Sequence, residues 1–107
     1  MLLAELSFDD FKDHTGRTFV VEGPGGRVEA TLVAARLSPY GSPGLLRRHP
    51  FAILFTAPPV PELGAQVYNI RHPAKGLMEG VFINPVAPAP ADVLKAQGLR
   101  FYEAVFS

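Results

Sequence analysis

The chain has 107 residues, of which 48% are hydrophobic and 19% charged, with ten Lys plus Arg balancing ten Asp plus Glu. One domain of this size removes roughly two-thirds of its chain surface from water and so holds a single core. The neutral balance supplies no field to gather nucleic acid or an anionic membrane. No apolar stretch approaches the span of about 20 residues that a membrane helix needs. The absence of cysteine excludes disulfides, thiolate nucleophiles and Cys-based metal sites.

The N-terminal MLLAELSFDDF has no basic n-region and no apolar stretch long enough for a signal peptide, which predicts a protein kept in the cytoplasm or exported by a route that the sequence does not show. A short helix is expected over 7–15, with Ser7 as cap, Asp10 as its capping-box partner and Gly16 as the left-handed stop. Asp9 and Asp10 lie in its first turn, where the helix dipole favours negative charge. Phe8, Phe11 and Leu6 give it a narrow apolar side, and at under three turns it needs the support of whatever that side lies on.

Beyond Gly16 the apolar spacing changes to two, the period of alternating strand faces. Strands are predicted at 17–22 and 27–37, joined by Gly23-Pro24-Gly25-Gly26 as a hairpin. The apolar phase slips after Leu32, where Val33, Ala35 and Leu37 take over, the mark of a bulge. SPYGSPGLLRRHP, 38–50, reads as a long turn-rich loop, and FAILFT, 51–56, as a central strand apolar on both faces. A proline-bearing connection, 57–65, leads to strands at 66–72 and 77–84, with Pro85 ending or edging the second. Between them Pro73-Ala74-Lys75-Gly76 reads as a four-residue hairpin loop with His72 and Leu77 facing, and Gly80 as a bend or tight packing point. A stiff Ala/Pro connector with one helical turn at 92–97 precedes the last strand, 99–106. Six strands and one short helix predict a mainly β fold, a curled antiparallel sheet or small six-stranded barrel in one domain, 1–107.

The chemistry that the residues offer is sparse. His14, His49 and His72 lack the spacing of a metal site, so no metal is expected. Asp10 and His14 suit an acid–base pair on paper, but the better reading is a solvated helix face. None of the four serines sits in a nucleophile elbow, and Pro43 after Ser42 removes an N–H that an oxyanion site needs. GPGGRV, 23–28, has the glycines of a phosphate cradle but joins two strands and lacks the Lys-Ser/Thr of a P-loop. Glu22 and Glu29 are a candidate carboxylate pair across the first hairpin, with an exposed polar face as the default. The densest basic site is Arg47, Arg48 and His49, with Arg71 and His72 as its candidate companions and Tyr40 and Tyr68 for stacking. These five basic residues are the contact residues expected for any ligand or partner. No catalytic residue and no cofactor is expected.

Several stretches recur together in order: FKDHTGRTF, HPFAILFTAP, YNIRHPAKG, VFINPV and the ending YEAVFS. Their succession resembles a family of short uncharacterised bacterial proteins, a domain of unknown function. In that family an aromatic pFsLlF strand, a Y-x-l-x-H-P-x-x-G hairpin, an lFLvPv strand and a terminal YEAVFN recur. The resemblance implies no activity, cofactor or catalytic residue. It implies a structural or assembly role beside phage-tail-collar or tail-fibre-like proteins. The chain departs from the pattern at Ser107, where Asn is usual, and by a longer insertion around 88–98.

The leading expectation is therefore a non-enzymatic protein-interaction or structural domain that associates with a protein partner or with itself, with an exposed strand edge as the means. The terminal strand, 99–106, either closes the domain or is donated to another subunit. The alternatives are a barrel binding a flavin or phosphorylated metabolite at a mouth formed by Arg47, Arg48, His49 and Arg71, and a single-stranded nucleic-acid module. The net charge of zero disfavours the last.

Overall fold

The computed structural model describes residues 5–23, 26–38, 50–87 and 98–106. Tyr40, Ser42, the 47–49 basic triplet, Pro24-Gly25 and the helical turn expected at 92–97 lie outside them.

The helix is shorter than the sequence suggests: α1 spans only Asp9–Lys12. Asp10 makes the return half of a capping box, its Oδ2 accepting the Ser7 N–H at 2.9 Å. The Ser7 hydroxyl does not cap; the N-cap is Phe8, with no side-chain bond. After Lys12 the chain descends through single turns to Gly16, whose φ of 88° makes it the left-handed stop expected. What ends the helix is the sheet. Gly16 N–H donates to Leu32 O at 2.7 Å, and Leu32 N–H to Arg17 O at 3.1 Å.

Six strands follow: β1 Thr18–Gly23, β2 Gly26–Leu37, β3 Phe51–Ala57, β4 Gln66–His72, β5 Gly76–Val86 and β6 Arg100–Phe106. They close into an antiparallel barrel in the order β1-β2-β3-β6-β5-β4. Period-two alternation sends Phe19, Leu32, Ile53, Phe55, Ile70 and Tyr102 inward, all essentially buried. Phe19 and Phe55 meet edge to face at 5.2 Å. The barrel interior is filled by these side chains.

Two bulges bend the wall enough to close it. One lies where the phase slip predicts it, between Leu32 and Ala34 opposite β3. Beyond it Ala35 packs on the core, while Val33 and Leu37 are exposed rather than taking over the inward phase. The second sets Glu79 and Gly80 of β5 against Asn69 alone, between the pairs Tyr68↔Val81 and Ile70↔Met78. Gly80 takes φ 72° there and donates its N–H to Asn69 Oδ1 at 3.2 Å. Gly80 is thus a bend, and its role is conformational.

Other expectations are settled by register. Pro85 does not end its strand, which runs on to Val86; it pairs with Tyr102 of β6 on one side and lies past the last β4 pair, Gln66↔Ile83, on the other, the edge position expected. In the β4–β5 hairpin His72 pairs with Gly76 and Arg71 with Leu77, leaving a three-residue loop, Pro73-Ala74-Lys75. Gly76, at φ 84°, supplies the left-handed exit. Glu22 faces Arg27 and Glu29 faces Val20, so no carboxylate pair forms. The terminal strand is a closing strand, paired with β3 along its whole length and with β5 at Phe101–Glu103. It is held on both sides at Phe101–Glu103, and its ladder to β3 continues from there to Phe106.

Each end of the barrel is stopped by one apolar side chain. At one end Phe11 is fully buried among Phe19, Phe51, His72 and Phe106, with ring centroids at 6.2, 5.6, 5.3 and 5.8 Å. This is the support that a one-turn helix lacks by itself. At the other end Leu63, in the connection between β3 and β4, is buried, and its N–H donates to the Tyr102 hydroxyl at 3.1 Å.

Candidate functional site

Arg71 and His72 are adjacent in β4, and alternation points them to opposite sides of the wall. Arg71 lies on the outer wall, where its Nε–H donates to Glu22 Oε1 at 2.7 Å; Arg27 holds the other oxygen of the same carboxylate at 3.4 Å. His72 points inward with 3% of its surface exposed. Tyr68, considered for stacking, is also buried, its hydroxyl donating to Gly64 O at 3.0 Å. β4 thus sets Arg71 and His72 on opposite sides of the wall, and the other members of the expected basic cluster, Arg47, Arg48 and His49, lie outside the described residues.

His72 is instead the centre of a connection between helix and hairpin. Its Nδ1 accepts the N–H groups of Ala74 at 3.0 Å and Lys75 at 3.1 Å, so it stitches the three-residue turn. An Nδ1 that accepts two backbone donors carries no proton, which fixes the neutral Nε2–H tautomer. Nε2–H then donates to the main-chain O of Asp10 at 2.6 Å. Burial pushes the His72 pKa below its ordinary 6.5, aided by His14 and Lys75 and opposed by the Asp10 carbonyl.

The surroundings extend this cluster. The His14 ring meets His72 edge to face at 4.7 Å, and its Nδ1 accepts Arg17 Nη1–H at 3.0 Å. Lys75 Nζ lies 3.3 Å from Asp10 Oδ1. Partial burial works against the Asp10 charge, but the Ser7 N–H and Lys75 outweigh it and hold its pKa below the ordinary 3.8. Asp10 and His14 are thus not an acid–base pair; each is engaged elsewhere. No group of three or more His, Asp or Glu among the described residues is placed to hold a metal ion.

A second feature is on the outer wall. Val67 of β4 and Phe82 of β5 are directly opposite across the ladder and are 56% and 54% exposed. Val105 of β6 is also exposed, at 65%, but lies beyond the last β5–β6 pair, Asn84↔Glu103, beside Leu37 and Ala52. A third feature is a rim cavity of about 180 Å³ at the Leu63 end, lined by Arg27, Val28, Glu62, Leu63, Gln66 and Tyr68 among others.

A family profile matches residues 6–106. The chain belongs to the domain family of unknown function DUF6916. The matched span takes in α1 and every strand of the barrel, so DUF6916 corresponds here to the whole closed fold with its helical stopper. No curated protein and no solved structure matches the chain. Among the described residues of this DUF6916 barrel, no helix is long and apolar enough to cross a membrane.

Sequence reasoning missed the His72 connection and the outer apolar pair. The first had a local signal, a histidine directly before a three-residue turn, where its ring can accept turn N–H groups. Its link to Asp10 spans 62 residues and had none. The pair was legible as apolar residues in the outward phase, Val67 and Phe82, against the inward Tyr68 and Ile83.

Proposed function

We propose that the protein is a non-enzymatic interaction domain that docks a protein partner on the outer wall of β4 and β5. The observation that carries this reading is the directly opposed, half-exposed pair Val67 and Phe82. Large apolar side chains grouped on an outer sheet face favour protein contact. The filled barrel interior supports it too, since burial of a ligand inside would require displacing core side chains. The finer setting, an accessory of phage-tail-like or surface-appendage assemblies, follows from the family resemblance and forms part of the proposal.

Affinity capture from the native source with the full chain and with Phe82→Ser tests it, circular dichroism verifying that the variant is folded. Capture of a defined partner that is lost in Phe82→Ser supports the reading, and a tail- or appendage-type partner supports the finer setting. No captured partner, or capture indifferent to the substitution, overturns it.

A small-ligand role is favoured by one observation, the rim cavity at the Leu63 end. Thermal shift with nucleotides, flavins and phosphorylated metabolites, lost on Arg27→Ala, supports that alternative; no shift removes it.

A further inference from the structure

We propose that His72 is an acid-sensitive latch holding the helical stopper, residues 5–16, across one end of the barrel, and that acidification releases the stopper while the barrel stays folded. The argument rests on the bonding of the ring. Both nitrogens are committed, Nδ1 as acceptor of two turn N–H groups and Nε2–H as donor to Asp10 O. A proton can enter only at Nδ1. It would turn that nitrogen into a donor aimed at two donors, so the turn bonds at 3.0 and 3.1 Å are lost together.

The groups facing His72 are Asp10 and His14 from the helical segment, Lys75 from the hairpin turn and the uncharged rings of Phe11 and Phe19. The Lys75 ammonium and any charge on His14 oppose a buried imidazolium. The Asp10 carbonyl and carboxylate favour one, but the carboxylate is already shared between the Ser7 N–H and Lys75. With the ring 3% exposed, charging it favours a state in which it reaches water.

The stopper is the part that can move to allow this. It meets the rest of the molecule through the apolar side chains of Leu6, Phe8 and Phe11, the Asp10–His72 bond, the Asp10–Lys75 pair, the His14–His72 ring contact and the junction bonds at Gly16 and Arg17, with no strand ladder of its own. β2, β3 and β6, by contrast, are held by the long ladders β2–β3 and β3–β6, of six and seven pairs. Release uncovers the aromatic end formed by Phe19 and the stacked rings of Phe51 and Phe106, 4.8 Å apart. An apolar surface closed at neutral pH thereby becomes available in acid.

Hydrogen–deuterium exchange of the full chain, corrected for intrinsic rates, at pH values from about 7.5 to 5 tests the latch. Protection across residues 5–16 and 72–76 is expected to fall by up to about tenfold per pH unit below the ordinary histidine range, one proton being taken up on opening. Protection in β2 and β3 is expected to persist. In His72→Gln, which keeps a donor toward Asp10 but does not titrate, that fall is expected to vanish. Unchanged protection of 5–16, loss of protection in all strands together, or the same pH dependence in His72→Gln overturns the proposal. Should the variant not fold, ring nitrogen shifts of His72 in the wild-type protein decide: protonation coincident with opening supports the latch, and opening without it overturns the latch.

Discussion

The main-chain N–H of Leu63 donates to the hydroxyl of Tyr102, 39 residues away, at 3.1 Å. The bond ties the connection between β3 and β4 to the strand that closes the barrel, and it lies in buried surroundings where water cannot replace it. Tyr102→Phe keeps the ring and orphans the donor. Denaturant unfolding is expected to show a loss of about 1–3 kcal/mol, with the Leu63 amide losing exchange protection.

Phe11 stops the opposite end of the barrel with its whole side chain. Phe11→Ala removes the ring from four aromatic neighbours and leaves a void that rigid strands cannot fill. A loss of about 3–5 kcal/mol is expected in thermal or urea unfolding. A loss below about 1 kcal/mol would show that the stopper is not part of the cooperative core.

Gly80 and Gly64 make opposite predictions for the same substitution. Gly80 takes φ 72° at the β5 bulge, so Gly80→Ala is expected to cost about 1–2 kcal/mol although the nearest atom to an added Cβ is 3.9 Å away. Gly64 has open space around it and no positive φ, so Gly64→Ala is expected to be neutral or to stabilise by up to about 1 kcal/mol. Chemical denaturation of both variants reads the contrast.

Acid sensitivity is expected in two stages with assignable causes. The folded-state pKa of His72 lies below its ordinary 6.5, so its contribution to stability is present above that value and is lost as pH falls from there through the folded pKa. The Asp10 pKa also lies below its ordinary value, 3.8, so its contribution is lost only under still more acid conditions. Unfolding free energy measured against pH should lose its upper stage in His72→Gln and its lower stage in Asp10→Asn. A single stage insensitive to both substitutions contradicts this assignment.

Arg71 was a candidate contact residue, and its place on the outer wall gives a bland expectation. Arg71→Gln breaks an exposed ion pair, leaving Glu22 with Arg27, and should cost under about 1 kcal/mol, diminishing with added salt. A larger, salt-independent cost would mark Arg71 as more than a surface partner of Glu22.

Much of the strand pattern was legible because each strand carries its own record of which side is buried. The period of two placed β4 at its observed bounds and the other five strands within two residues of theirs. It also marked the β2 bulge by the phase slip after Leu32. The same rule contained a warning that the basic-cluster reading passed over: Arg71 and His72, as strand neighbours, must face opposite sides. The helix was overextended because its length is set by the Gly16 and Arg17 bonds to Leu32, not by the propensity of residues 13–15. The turn after His72 was one residue too long because the ring of His72, an element outside turn grammar, supplies the acceptor for its N–H groups.

By itself the sequence determined what depends on neighbours along the chain: strand faces, the left-handed stop at Gly16, and the absence of cysteine chemistry. The tertiary structure decided whatever needs residues far apart in the chain. It closed the wall by placing β6 between β3 and β5, and it set Phe11 under the aromatic end. It also assigned each nitrogen of His72 a fixed role. The physical reason is that burial and hydrogen bonding are settled by partners in space, and a pairing such as Asp10 with His72, 62 residues apart, leaves no periodic trace in either segment.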